Sequence, residues 1–255
     1  MSSKENAPDL AATLHLAGVT RIGGVLFDID DTLVDLRSAA LAGFHRQTAT
    51  DFAGVRAQDR NAAADDYARD GGGHYERYMA GELSFIGQRI ERIHRAYAMV
   101  GVPSPEAAGL ETWSSDYEKA IRASWAPFDD VHACLDELDA LGIPYGAVSN
   151  NVEEYQRGKL KAAGLERITV LVGSDTAGAP KPDPRPFLAG AALLGTAPSE
   201  TLYVGDNPIN DVQGAKAAGL PALLLERDPD LKINVFGTLS DLTFLGLMIR
   251  GIQGF

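Results

Sequence analysis

The sequence predicts an α/β fold: a Rossmann-like parallel sheet of at least five strands with helices on both faces, plus an inserted all-α cap domain. Three observations predict it. An apolar run near the start closes on a pair of aspartates. A long stretch with helical spacing and no strand pattern follows. After Pro127, a helix pattern ending in glycine leads into an apolar strand four times over. The reading assigns residues 1–34 and 127–255 to an α/β core and residues 35–126 to a helical cap.

Residues 1 to about 20 read as a loose arm with a short helix around Leu10 to Leu16. Met1 to Asp9 lacks the basic start and apolar core of a signal peptide, so no targeting segment is expected. The first strand runs from Ile22 to Asp28, with Val25-Leu26-Phe27 apolar on both faces as a buried parallel strand requires. It is followed by Asp28-Ile29-Asp30-Asp31-Thr32-Leu33. In extended backbone, residues two apart point to the same side, so Asp28 and Asp30 are placed to face one site.

The insert is expected to hold helices over Ser38 to Phe52, Gln58 to Met79, a third following Ser84, and Pro105 to Ala123. Gly71-Gly72-Gly73 breaks the second. In the third, Ile86, Ile90, Ile93, Tyr97 and Val100 fall on one apolar face, Ser84 serves as N-cap, and Glu91 with Arg95 forms an i,i+4 pair. Trp113 and Trp125 read as packing residues.

In the second half, strands are expected at Ile143 to Val148, Ile168 to Val172, Thr201 to Val204 and Ala222 to Leu225. The twice-used Lys-Ala-Ala-Gly-Leu, at Lys161 and Lys216, is a helix C-terminus: a cation near the negative end, then glycine for the left-handed cap. Helices alternating with strands imply right-handed crossovers and a parallel sheet. The piece from Val235 to Phe255, interrupted by Asp241 and Arg250, reads as a packing helix and not a membrane span.

Charge and cysteine content narrow the function. Lys plus Arg number 23 and Asp plus Glu 35, a formal net charge of −12. Such a surface repels nucleic acid and anionic membranes, so neither is an expected partner. Cys134 is the single cysteine, so no intrachain disulfide can form, and a cytoplasmic setting follows most simply. The helical pattern around Cys134 makes it a small buried hydrophobe. The five histidines, His15, His45, His74, His94 and His132, show no metal-binding spacing.

Parallel sheets bind ligands at the C-terminal edge of their strands. That edge collects Asp28, Ser149-Asn150 and Gly205-Asp206, with Asp211 five residues on and Lys181 opening Lys181-Pro182-Asp183-Pro184. Carboxylates held together repel unless a cation neutralises them, and hard divalent cations prefer oxygen ligands.

These four segments, in this order and each at a strand end or helix start, resemble the haloacid dehalogenase superfamily of hydrolases, in its phosphatase branch with a helical cap inserted after the first motif. The resemblance covers about residues 22 to 230. It implies a Mg²⁺-dependent phosphatase acting on a small phosphorylated metabolite. Asp28 would attack phosphorus. Asp30 would protonate the leaving oxygen and then activate water. Mg²⁺ would be held by Asp28, Asp206, the backbone carbonyl of Asp30, and Asp211 directly or through water. Ser149 would bind the phosphoryl oxygens, Asn150 would touch phosphate or orient nearby loops, and Lys181 would offer the phosphate a point charge. Thr32 would hydrogen-bond around Asp28 or Asp30, and Asp183 would fix the Lys181 loop. Asp31 stands where the family commonly has glycine and reads as structural. Specificity would lie in the cap, with Arg37, His45, Arg46, Arg77, Tyr78 and Arg89 as candidates, and the protein would be a monomer or homodimer.

Other chemistries use the same scaffold. A phosphomutase would employ the same residues. A dehalogenase, in which the aspartate attacks carbon, needs neither a metal nor an acid two residues on, so Asp30, Asp206 and Asp211 favour phosphoryl transfer. Phosphonate hydrolysis in the family uses a cap lysine, and the insert has none before Lys119. A phospho-acceptor signalling domain would keep its aspartyl-phosphate, whereas Asp30 would speed its loss. A scaffold on an inactive hydrolase fold would not be expected to retain the whole constellation.

Overall fold

The computed structural model describes residues 19–227 and 238–253. The expected helix around Leu10 to Leu16, and His15 with it, lie outside them. The chain divides into two compact units: Met1–Asp35 with Ala126–Phe255, and Leu36–Trp125.

The first unit is built on six parallel strands, with helices on both faces. They are β1 (Gly24–Phe27), β2 (Tyr145–Val148), β3 (Val170–Val172), β4 (Thr201–Gly205), β5 (Ala222–Leu225) and β6 (Thr238–Leu239), in the order β3-β2-β1-β4-β5-β6. From β1 the chain steps outward through β2 to β3, then jumps back to lay β4 on the other side of β1. The order reverses between β1 and β4, and such a switch point opens a crevice at the strands' C-terminal ends. Phe27 pairs in register with both Ala147 and Val204, so Asp28 emerges level with Val148 and Gly205. Every residue of β1 is buried, which is why its sequence does not alternate.

The sixth strand corrects the reading of residues 235–255 as one helix. Thr238 and Leu239 pair with Leu224 and Leu225 of β5. Asp241 then accepts a bond from the Thr243 N–H at 2.8 Å, a side-chain turn that separates strand from helix. Described residues 238–253 include no helix before Leu245–Gln253. Two strand residues carry no period, so only pairing reveals them. Among the described residues, no helix is long and apolar enough to cross a membrane.

The second unit holds five helices: α1 (Leu36–Gln47), α2 (Ala57–Arg69), α3 (His74–Met79), α4 (Phe85–Val100) and α5 (Ala107–Arg122). Its core is aromatic. Phe44 and Tyr67 lie 5.0 Å apart, Phe52 and Tyr97 4.8 Å, and Trp113 stacks on Tyr117 at 5.3 Å. Ser84 caps α4 by accepting from the Gly87 N–H at 2.9 Å. The buried face of α4, however, is Gln88, Arg89, Ile93, Ala96 and Tyr97, and Ile86 is exposed. The face turns because Arg89 is drawn inward: it bonds Glu118 and lies 4.5 Å over the Phe85 ring. Arg95 pairs with Asp66 of α2 at 2.7 and 2.8 Å, in place of the expected Glu91. Of the candidate substrate-reading arginines, Arg37 pairs with Asp65 at 2.7 Å and Arg77 with Glu82 at 3.2 Å.

Among the described residues of the first unit, the α-helices are α6 (Val131–Ala140), α7 (Glu153–Ala162), α8 (Ser174–Ala177), α9 (Pro184–Leu194), α10 (Gly214–Ala217) and α11 (Leu245–Gln253). Arg250 of α11 bonds Glu137 of α6 at 2.7 Å. Cys134 is buried in α6, and burial pushes its thiol up to about 12.

Candidate active site

The Asp28 N–H continues the ladder beyond β1 by donating to the Val204 carbonyl at 2.9 Å, which fixes the residue at the sheet edge. The chain then turns. Leu33 and Val34 N–H groups both donate to Ile29 O at 2.9 Å, and Asp31 takes φ 58°. Aspartate is among the few residue types that adopt this left-handed conformation, which accounts for an Asp where glycine is otherwise favoured. Thr32 Oγ1 is buried with no hydrogen-bond partner, so the expected bond to Asp28 or Asp30 is not made. The Thr32 backbone carbonyl is engaged instead, by Arg227 at 2.7 Å.

Three carboxylates converge: Asp28, Asp206 and Asp211 each bring one oxygen within 4.8 Å of the others. Asp211 rides on a short π-helix, Pro208–Gln213, a distortion frequent at functional sites. The Asn207 side chain caps that turn by accepting from Ile209 and Asn210 N–H, and the Asn207 backbone N–H donates to Asp211 Oδ2 at 3.0 Å. Lys181 Nζ sits between two of the acids, 2.5 Å from Asp28 Oδ1 and 2.7 Å from Asp211 Oδ1. It also reaches Val148 O at 3.0 Å and the Tyr203 hydroxyl at 2.9 Å. Its charge therefore falls on the nucleophile candidate and on Asp211. Burial pushes Asp28 up to about 7, with Lys181 opposing and Asp211 reinforcing. Burial and the neighbouring Asp28 and Asp211 push Asp206 up to about 9.

Asn150 spends both ends of its amide on the Lys181 backbone: Oδ1 accepts from its N–H at 2.6 Å and Nδ2 donates to its carbonyl at 3.0 Å. Of the two roles expected for Asn150, this geometry corresponds to loop orientation. Asp183 caps α9 by accepting from the Arg185 N–H at 3.0 Å and also holds the Arg185 guanidinium, contacts that lower its carboxyl to about 2.

Asp30 is not one of the three converging acids, and its carboxylate is paired elsewhere. Its Oδ2 accepts from Gln156 Nε2 at 2.8 Å, and its Oδ1 accepts from Lys159 Nζ. Gln156 also donates to Ser149 Oγ at 2.7 Å, and the Asn151 N–H reaches the same oxygen at 3.2 Å. Gln156, Lys159 and Tyr203 were not singled out from sequence. Their available signal was slight: a Gln and a Lys three apart on the helix after Ser149, and a tyrosine inside an apolar strand.

The acidic group suits a hard divalent cation. Its donors are all oxygen. One lysine faces three carboxylates, leaving a deficit of two positive charges if all three ionise.

A family model for haloacid dehalogenase-like hydrolases matches residues 22–219. The chain belongs to this family. Among curated relatives, a phosphoglycolate phosphatase of Xylella fastidiosa is 36% identical over 130 residues, covering 49% of this chain and 56% of that protein. The chain thus spans little more than half of that relative's length. A phosphoglycolate phosphatase of Rhodospirillum rubrum is 31% identical over 231 residues, covering 87% and 88% of the two chains. A phosphoserine phosphatase of Thermus thermophilus is 33% identical over 141 residues, covering 50% and 57%. Among solved structures, L-2-haloacid dehalogenase from Xanthobacter autotrophicus aligns with TM-score 0.66 at 19% identity, covering 90% of this chain and 99% of that one. A likeness at that identity speaks to the fold alone.

Proposed function

We propose that the protein is a Mg²⁺-dependent phosphatase that hydrolyses a small phosphorylated metabolite through an aspartyl-phosphate, with residues 35–126 serving as the cap that selects the substrate. The observation that carries this reading is the division of the acids. Asp28, Asp206 and Asp211 converge, with Lys181 bonded to Asp28 and Asp211, while the Asp30 carboxylate, two residues from Asp28, is paired with Gln156 and Lys159. Nucleophile and proton carrier are thereby given separate settings.

In the first step an Asp28 carboxylate oxygen attacks phosphorus. The bond from phosphorus to the ester oxygen breaks, and its electron pair goes to the leaving oxygen, which takes a proton from Asp30. In the second step a water oxygen attacks phosphorus as Asp30 takes its proton. The bond to Asp28 breaks, returning a free carboxylate and inorganic phosphate. Asp28, Asp206 and Asp211, with the Asp30 backbone carbonyl, would hold Mg²⁺, which when bound offsets the carboxylates and the charge developing on the phosphoryl oxygens. Lys181 supports Asp28 in its ionised form. Ser149 accepts bonds from Gln156 and Asn151, which leaves its own O–H to donate to a phosphoryl oxygen.

The relatives' names support the substrate class: phosphoglycolate and phosphoserine are both small phosphate esters carrying a carboxylate. The acidic composition and the single buried cysteine suit a cytoplasmic setting. The test is phosphate release by purified protein from a panel of such esters, with Mg²⁺ and with chelator. Release that is Mg²⁺-dependent and lost in Asp28→Asn supports the reading. Release undiminished by chelator, or kept by Asp28→Asn, contradicts it.

A further inference from the structure

One buried charge has no part in the reaction as written. Lys159 lies on α7, and its side chain is 1% exposed. An ammonium so far from water needs a strong counter-charge to be tolerated. That charge is the Asp30 carboxylate. Three residues earlier, and so on the same face of the helix, Gln156 is fully buried and donates to the other Asp30 oxygen at 2.8 Å. The same Gln156 nitrogen reaches Ser149 Oγ at 2.7 Å. One helix face therefore grips both carboxylate oxygens of Asp30 and ties them to the serine that ends β2. Within its own loop, Asp30 is flanked by a left-handed Asp31 and by a Thr32 hydroxyl that bonds nothing. The grip comes from α7.

We propose that Lys159 and Gln156 are positioning residues for the proton transfer: they set the direction of the Asp30 carboxylate and hold it apart from the three converging acids. The proposal rests on the reading of Asp30 given above and adds to it which residues aim that group. A carboxylate two residues from the nucleophile is otherwise free to swing toward whatever cation the acidic group attracts. As a ligand it would be lost as a proton carrier. Lys159 offers a fixed positive charge on the other side, Gln156 pairs the second oxygen, and each oxygen keeps a further lone pair on which the transferred proton is carried.

The test uses the full chain and a series of phosphate monoesters, from activated aryl to simple alkyl. Here kcat/KM reports formation of the aspartyl-phosphate. A placed acid matters most for the poorest leaving group. Asp30→Asn should steepen the dependence on leaving-group pKa. Lys159→Met should steepen it in the same sense, with alkyl phosphates losing about 10- to 100-fold more than activated aryl phosphates, a part of what a general acid contributes. Lys159→Arg, which keeps the charge, should recover much of the slope. In the Asp30→Asn background, Lys159→Met should leave the slope unchanged. Circular dichroism and thermal melts check that each variant folds. If Lys159→Met does not fold, Gln156→Met carries the test, with the same change of slope expected. A folded Lys159 or Gln156 variant that lowers every ester by one common factor overturns the inference while leaving the phosphatase reading intact. A wild-type slope in Asp30→Asn overturns the inference together with the role given to Asp30, and no phosphate release by wild type overturns the phosphatase reading as well.

Discussion

The Asp211 carboxylate packs directly on Gly205, at the end of β4: a Cβ there would lie 2.4 Å from Asp211 Oδ2 and 2.5 Å from its Cγ. No side chain fits without displacing Asp211, whose other oxygen is the one bound by Lys181. Gly205→Ala should therefore disturb the acidic group as a whole, at a cost of about 1–3 kcal/mol for overpacking. A Mg²⁺ titration of activity checks this. The half-saturating concentration should rise, and an unchanged titration would mean that Asp211 takes no part in holding the ion.

The raised carboxyls give a pH signature. Asp28 is pushed up to about 7 and Asp206 to about 9, against an ordinary 3.8. The folded chain keeps these protons to higher pH than the unfolded chain does. The stability they confer is fully present below about pH 4 and is lost as pH rises through about 7 to 9. In chelator, the melting temperature should fall between about pH 6 and pH 9. Bound Mg²⁺ would replace the protons as counter-charge and should flatten that fall. An equal fall with and without Mg²⁺ would place the ion elsewhere.

Asn150 holds the Lys181 backbone by two bonds. Asn150→Ala should let the lysine drift from Asp28 and lower kcat by about 10- to 100-fold, the scale of a misplacement near 1 Å. Every substrate should fall alike, because each presents the same phosphoryl group. A variant that re-ranks the substrate panel would instead make Asn150 a reader of the rest of the molecule.

Arg89 was a candidate substrate reader, but its side chain is spent on Glu118 and the Phe85 ring. Arg89→Ala should act on stability, costing about 3 kcal/mol for a broken buried pair, with Arg122 still beside Glu118 at 2.7 Å. Denaturant unfolding should show that loss, and the order of preferred substrates should hold. Unchanged stability with a new order would return Arg89 to the reading surface.

What the sequence makes legible follows from how each residue is placed. β1 and the acids at its end could be read because a fully buried strand and a two-residue spacing are local patterns. Asp206 and Asp211 follow one strand and need no more than its position. Lys159 could not be read, because its meaning comes from Asp30, 129 residues away in sequence. The face of α4 is hidden for a related reason: spacing locates the apolar residues, but the buried face includes Arg89, which pairs with Glu118, while Ile86 is exposed. The resemblance implies a Thr32 bond near Asp28 or Asp30, and the lack of a partner for its buried hydroxyl is a tertiary fact with no local signal.

The most direct measurement is the intact mass of Asp30→Asn after rapid acid quench from a reaction with a small phosphate ester and Mg²⁺. With the nucleophile kept and the proton carrier gone, breakdown of the covalent intermediate should slow enough to trap it. A phosphate adduct that maps to Asp28 is the expected result. No adduct in either wild type or Asp30→Asn, with oxygen from labelled water entering phosphate without passing through the Asp28 carboxylate, would contradict it.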